Sequence, residues 1–224
     1  GSQDLIYSAD EHREVSSSIK QADRTSGLIR NKKLFELNRD STYFCPYKSP
    51  ENENNVILTS YLNTFEDSQR GTRLMSDYKN VQTLLNSVNG KERIVLINDC
   101  FDKEDYGTVK HHKVTSRLNP YFQRWLSQYE YLRDHPEIDN VFLLDATDVE
   151  MLQSPFAHIQ KDKVYSGDER ATTGVPWMHK HSAHAFISNF LRRNATRQLL
   201  NCGIVGGSRK DVMNICRDIV NIYL

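Results

Sequence analysis

No window of this chain gathers the roughly eighteen consecutive apolar residues that a helix needs to cross a bilayer, so no membrane span is expected. The sequence also lacks net charge, because 29 Lys and Arg balance 29 Asp and Glu. Without a bulk field to draw nucleic acid or an anionic membrane, recognition must come from local sites, and a polyanion-binding role is disfavoured. Cysteine is scarce and scattered. Cys45, Cys100, Cys202 and Cys216 show none of the short paired spacings of a zinc site and leave the redox compartment open. At 224 residues the chain has room for one α/β domain with a sizeable core and is short for two. Gly1-Ser2 reads as a cloning scar, and Asn194-Ala195-Thr196 is a sequon that matters only in a secretory setting.

What the chain does have is concentrated in Asn140 to Leu152, N-V-F-L-L-D-A-T-D-V-E-M-L. Val141, Phe142, Leu143 and Leu144 are too few for a buried helix and do not alternate, so they predict a strand covered on both faces within a parallel sheet. Asp145 and Asp148 then follow its carboxyl end, where open α/β sheets bind their ligands. Two carboxylates on one turn offer hard oxygen ligands to Mg²⁺ or Mn²⁺ and leave positions for water or phosphate oxygens. The plainer alternative is a capping Asp145 and a solvated Asp148.

Around this stretch the chain reads as alternating strands and helices. Val56–Leu62 is the first strand and Arg93–Ile97 the second, with Asn98-Asp99 at its carboxyl end; Val109–Thr115 makes a shorter third. Met75 to Val88 carries apolar residues at steps of three and four, one face of a helix that Asn89-Gly90 stops. Asn119 and Pro120 open the strongest helix, running to His135, with Leu118, Phe122, Trp125, Leu126, Tyr129 and Leu132 as its buried side and Arg124 and Tyr131 off that stripe. Arg70 and Arg73 are a small basic cluster able to meet phosphate or simply to be solvated. Lys163–Ser166 is a strand ending in Gly167-Asp168-Glu169, carboxylates that suit contact with a substrate hydroxyl or a charged turn. Residues 171–184 lack a period and carry Trp177, His179, His181 and His184, as an acceptor-binding lid would; their spacings do not suit a zinc site. Ala185–Leu200 reads as a helix, Asn201 to Gly207 as strand and turn, and Ser208 with Asp211 as the start of a last helix.

An apolar strand ending in two closely spaced Asp, preceded by a helix with Arg and Tyr and followed by Asn201-Cys202-Gly203, resembles the GT-A-fold glycosyltransferases and their DxD motif. The spacing here, Asp145-Ala146-Thr147-Asp148, is one residue longer than in that motif. The resemblance implies a Rossmann-like α/β/α sandwich with a mostly parallel central sheet, and Mn²⁺ or Mg²⁺ held by Asp145 and Asp148 against the diphosphate of a nucleotide sugar, a UDP-sugar above others. It further implies a base pocket at Thr59, Ser60 and Tyr61, a base or ribose contact at Asp99, Arg124 near the diphosphate or the first Asp, and Asn201 and Gly203 beside the donor sugar. Asp168 or Glu169 would supply a catalytic base.

The expected organisation is an N-terminal extension or stem over residues 1–54 and a GT-A-like catalytic domain over 55–224, with a short helix within Ser26–Leu37. The expected activity is transfer of a sugar from a nucleoside diphosphate donor to a glycan or glycoconjugate hydroxyl, with no nucleic-acid partner. A stem would suit a Golgi or secretory lumen, its lack a bacterial cytoplasm. Two rivals stay open: a HAD-like phosphohydrolase, whose nucleophilic motif has one intervening residue, and a catalytically silent nucleotide- or carbohydrate-binding module.

Overall fold

The structure is a computed structural model that describes residues 54–68, 70–180 and 185–223. All but the last residue of the expected N-terminal extension, with its helix and Cys45, lies outside the described residues, as do His181 and His184. In chain order the elements are β1 (Asn55–Tyr61), α1 (Lys79–Val88), β2 (Ile94–Asn98), β3 (Val109–Lys113), α2 (Pro120–Asp134), β4 (Asn140–Leu144), β5 (Val164–Thr172), α3 (Pro176–Lys180), α4 (Ala185–Arg193), β6 (Gln198–Ser208) and α5 (Arg209–Tyr223).

The strands form one six-stranded sheet in the order β3-β2-β1-β4-β6-β5. β3, β2, β1 and β4 run parallel, and β6 is antiparallel to both β4 and β5. This is the expected α/β class with a mixed, mostly parallel sheet, compatible with a Rossmann-like fold. The chain moves outward from β1 to β2 and β3, then returns to place β4 on the other side of β1. The order therefore reverses between β1 and β4, and the crevice over their carboxyl ends is where such sheets take ligands.

Why the central strands are continuously apolar follows from the two layers. Ile57, Ile94, Leu96, Phe142 and Leu144 point to the side of α1 and meet Val81, Leu84, Leu85 and Val88. Val56, Leu58, Val95, Ile97, Val141 and Leu143 point the other way, to Trp125, Tyr131 and Leu132 of α2 and Val212, Cys216 and Val220 of α5. With successive side chains on opposite faces and both faces covered, each run is apolar except towards its ends, where Thr59 and Asn98 are buried. Burying each such side chain stabilises by roughly 1.5–3 kcal/mol.

Four local expectations are corrected. Helix α1 starts at Lys79, not Met75, because the Asp77 carboxylate accepts from the Lys79 N–H and Met75 is exposed. On α2, Gln123, Ser127, Gln128 and Tyr131 are buried, while Leu126 and Tyr129 are only half-buried. The polar residues can turn inward because the Gln123 amide is bonded at both ends, accepting from Arg117 and Leu118 N–H and donating to Ser127 Oγ. Strand β5 runs past Ser166 to Thr172, so Gly167, Asp168 and Glu169 are strand residues whose backbone is engaged by β6. Helix α4 stops at Arg193, and Gln198–Leu200 joins β6, where Asn194 Nδ2 donates to the Phe190 carbonyl and closes the helix. The expected helix starts at Asn119 and Ser208 are present: Asn119 Oδ1 accepts from Phe122 N–H, and Ser208 and Asp211 bond reciprocally.

β6 lies close to β4 because glycine stands where a side chain would collide. Gly206 faces Phe142 across the ladder, and a Cβ there would run into the Phe142 ring. Gly206→Ala should therefore lower the free energy of unfolding by roughly 1–3 kcal/mol, as overpacking does. Urea unfolding checks this, with the midpoint falling and the slope unchanged.

Candidate functional site

The carboxyl end of β4 brings three elements together. Asp145 leaves the strand with its N–H bonded to the Gly203 carbonyl on β6. Arg124, on α2, donates from Nη1 to Asp145 Oδ1 at 2.8 Å and from Nη2 to the Cys202 carbonyl at 3.0 Å. The guanidinium also stacks over the ring of Trp125, its neighbour, at 4.7 Å from the centroid. One planar fork thus ties helix, central strand and antiparallel strand at the switch point, a geometry that a lysine could not reproduce.

Asp145 Oδ2 lies over Gly203, where an added Cβ would sit 2.5 Å from that oxygen and 2.7 Å from Asn201 Oδ1. Glycine is required here by close approach. Asn201 Oδ1 accepts from Gly203 N–H at 2.6 Å, and its Nδ2 donates to Glu169 Oε1 at 2.6 Å. Glu169, Asn201, Gly203, Asp145 and Arg124 are therefore linked in one line across the rim of the sheet. Asp168 is exposed on the same strand as Glu169, opposite Leu200.

Other expected positions lie elsewhere. Asp148 is exposed beyond the turn, and Asp145 and Asp148 stand apart from any group of three or more His, Cys, Asp or Glu among the described residues. Two carboxylates on one turn, one with an oxygen that accepts no hydrogen bond, have the donor chemistry for a hard cation that draws most of its ligands from water and substrate. They do not have that of an all-protein zinc site. Thr59 is fully buried and donates to the Leu144 carbonyl, tying β1 to β4. Tyr61 is a core residue stacked on Phe101, its hydroxyl donating to the Met75 carbonyl and accepting from Asn80. Of that trio Ser60 lines the small cavity behind Asp145. Arg70 pairs with Asp67, which also accepts from the Tyr121 hydroxyl.

The cavity behind Asp145 has a volume of about 20 Å³ and is lined by Ser60, Arg124, Gln128, Leu144, Asp145 and Cys202 among others. It fits a water and no larger guest. Gln128 was not expected here. Its Nε2 donates to Ser60 Oγ at 3.4 Å, while Oε1 is buried without a partner. A glutamine on a helix gives no sequence signal of this kind, and Cys202 is visible only as the middle residue of Asn201-Cys202-Gly203. A wider cleft of about 310 Å³ opens at the ends of β2 and β3, between Asn98, Phe101, Lys103, His111 and Lys113. Burial lowers the His111 pKa, against the opposing pull of Asp105. The thiols of Cys100 and Cys216 are pushed up to about 11 and about 12, first by burial, so neither is a ready nucleophile. No protein-family model matches this chain, and no curated protein matches it.

Asp99 holds the loop after β1. It accepts from Asn63 and Thr64 N–H and from Ser116 Oγ, the last at 2.6 Å. Burial is the largest single influence and acts upward, yet these bonds together outweigh it and keep the carboxyl below its ordinary 3.8. A group with a lowered folded pKa contributes stability above its unfolded pKa and loses it as pH falls through the folded value. The stability gap between wild type and Asp99→Asn should accordingly be full near neutrality and shrink in acid below the ordinary aspartate range. Urea unfolding at stepped pH measures it, and a gap that does not change with pH would refute the account.

Proposed function

We propose that this chain is a metal-dependent glycosyltransferase of the GT-A type, moving a sugar from a nucleoside diphosphate donor, a UDP-sugar above others, to a hydroxyl of a glycan or glycoconjugate. The observation that carries the reading is the setting of Asp145. It stands at the end of a central parallel strand, at the switch point, forked to Arg124 and seated on Gly203. An acid that merely capped a turn would not need a buried-face arginine from another element and a glycine on a third.

In this reading Asp145 and Asp148 hold a divalent cation, Mn²⁺ or Mg²⁺, and such an ion supplies charge neutralisation to a departing nucleoside diphosphate. The remaining roles belong to the chain. Arg124 fixes the rotamer of Asp145 and adds positive charge at the rim where negative charge builds as the glycosidic bond breaks. Gly203 and Asn201 present backbone and a short amide to the donor sugar, with Gly203 leaving space above Asp145 Oδ2. Glu169, oriented by Asn201, and Asp168 are the carboxylates that would take the proton of the attacking hydroxyl in an inverting reaction. The resemblance would give Ser60 and Asp99 to the base, and the open cleft at the ends of β2 and β3 has the volume for a planar ring.

Calorimetry of UDP with and without Mn²⁺ tests the reading. Binding should require the metal, and Asp148→Asn and Asp145→Asn should each weaken it tenfold or more, about 1.4 kcal/mol. UDP affinity that ignores both the metal and the substitutions would remove the transferase assignment.

A further inference from the structure

The neutral charge balance of the whole chain conceals an uneven distribution. From Arg170 to Lys210 the sequence contains no Asp or Glu at all, while it contains Lys180, Arg192, Arg193 and Arg197 besides the two ends and Arg209. The rest of the chain is consequently net acidic. The middle of this stretch is the connection between β5 and β6, which carries α3 and α4. Lys180, Arg192, Arg193 and Arg197 are all exposed, and among the described residues no carboxylate pairs with them.

The same connection exposes large apolar side chains. Phe186 is 78% exposed, Phe190 50% and Trp177 54%. On α4, Leu191 is buried and Ile187 half-buried, and these turn toward the protein. Phe186 and Phe190 are four residues apart, so they form one exposed line about 100° round the helix from Ile187 and Leu191, with Arg193 one turn beyond. A short surface helix needs one apolar side for the fold. This helix has a second, exposed apolar line, which Arg193 continues.

We infer that the exposed face of α4, with Trp177 and the four exposed basic residues of the same connection, is a docking surface for a membrane bearing anionic lipid headgroups. Phenylalanine and tryptophan side chains enter the boundary between headgroups and acyl chains, and Lys and Arg at its margin meet lipid phosphate and carboxylate. Each such cation near an anionic leaflet adds to the attraction. Bases of a single-stranded nucleic acid would also stack on these rings, but such a strand would have to run on past a chain that is otherwise net acidic, whereas a membrane meets this one face. This surface does not depend on the transferase reading. It adjoins that site, because β5 and β6 pair beyond the end of β4, at Asp168 with Leu200 and Thr172 with Gln198, on the rim that carries Asp145.

Co-sedimentation with vesicles of phosphatidylcholine alone, and of phosphatidylcholine with about one third phosphatidylserine, tests the inference. The full chain should bind the anionic vesicles at least about tenfold more strongly, and added salt should weaken that binding. The double substitution Phe186→Ser with Phe190→Ser should abolish binding while circular dichroism and thermal unfolding stay unchanged, since neither ring is in the core. Arg192→Glu with Arg193→Glu, measured in parallel, should do the same without touching the apolar side. No preference for anionic vesicles in the wild type, or undiminished binding in both double variants, would overturn the inference. So would light scattering that shows a dimer dissociated by the Phe186→Ser and Phe190→Ser pair, since the surface would then belong to a second copy. UDP affinity, read on the same preparations, reports on the other site separately.

Discussion

The antiparallel pairing of β6 on β4 is the constraint on which the rest of the structure depends. It sets a foreign strand against the last of four parallel ones, and it does so at close range because Gly206 and Gly203 offer no Cβ to Phe142 and Asp145. Hydrophobic burial on both faces makes the parallel core, but that core by itself would leave β4 as an exposed edge with unpaired backbone groups. β6 covers that edge, and through Asp145 N–H to the Gly203 carbonyl it extends the ladder one residue past the strand, to the acid itself.

Arg124 works within that frame. Its guanidinium is only partly exposed, so its bonds to Asp145 and the Cys202 carbonyl are less screened than those of the surface pairs elsewhere, such as Arg133 with Asp134. Packing of α2 against α5 and the sheet fixes the helix, and the fork transmits that fixed position to the rim. The buried amides of Gln123 and Gln128 serve the same end from inside the helix, the first bonded at both ends and the second beside the small cavity behind Asp145.

Much of this was legible in the sequence. The continuous apolar runs of β1, β2 and β4 gave the parallel core, and Asn119-Pro120 and Ser208 marked two helix starts, because these signals are local. Asp145, Arg124, Asn201 and Gly203 were singled out and are adjacent in space. What was not legible depends on pairing between distant segments. Gly167-Asp168-Glu169 look like a turn because polar strand residues are recognisable only when a partner strand is known, and β6 supplies it. Thr59 and Tyr61 look like pocket residues until their hydroxyls are seen bonded within the core. The inward Gln128 and the outward Phe186 both break the rule of apolar inside and polar outside, and such exceptions carry no periodic signal of their own.

Strand β6 has Gly206 against the innermost ring of the core and Asn201 to Gly203 at the rim, on one stiff ribbon. Interior packing and site alignment are thus mechanically one variable. A substitution that swells the region around Phe142 would tilt or slide that ribbon and carry Asn201 away from Asp145, so changes deep in the molecule would surface as altered ligand affinity, with no residue of the site having been touched.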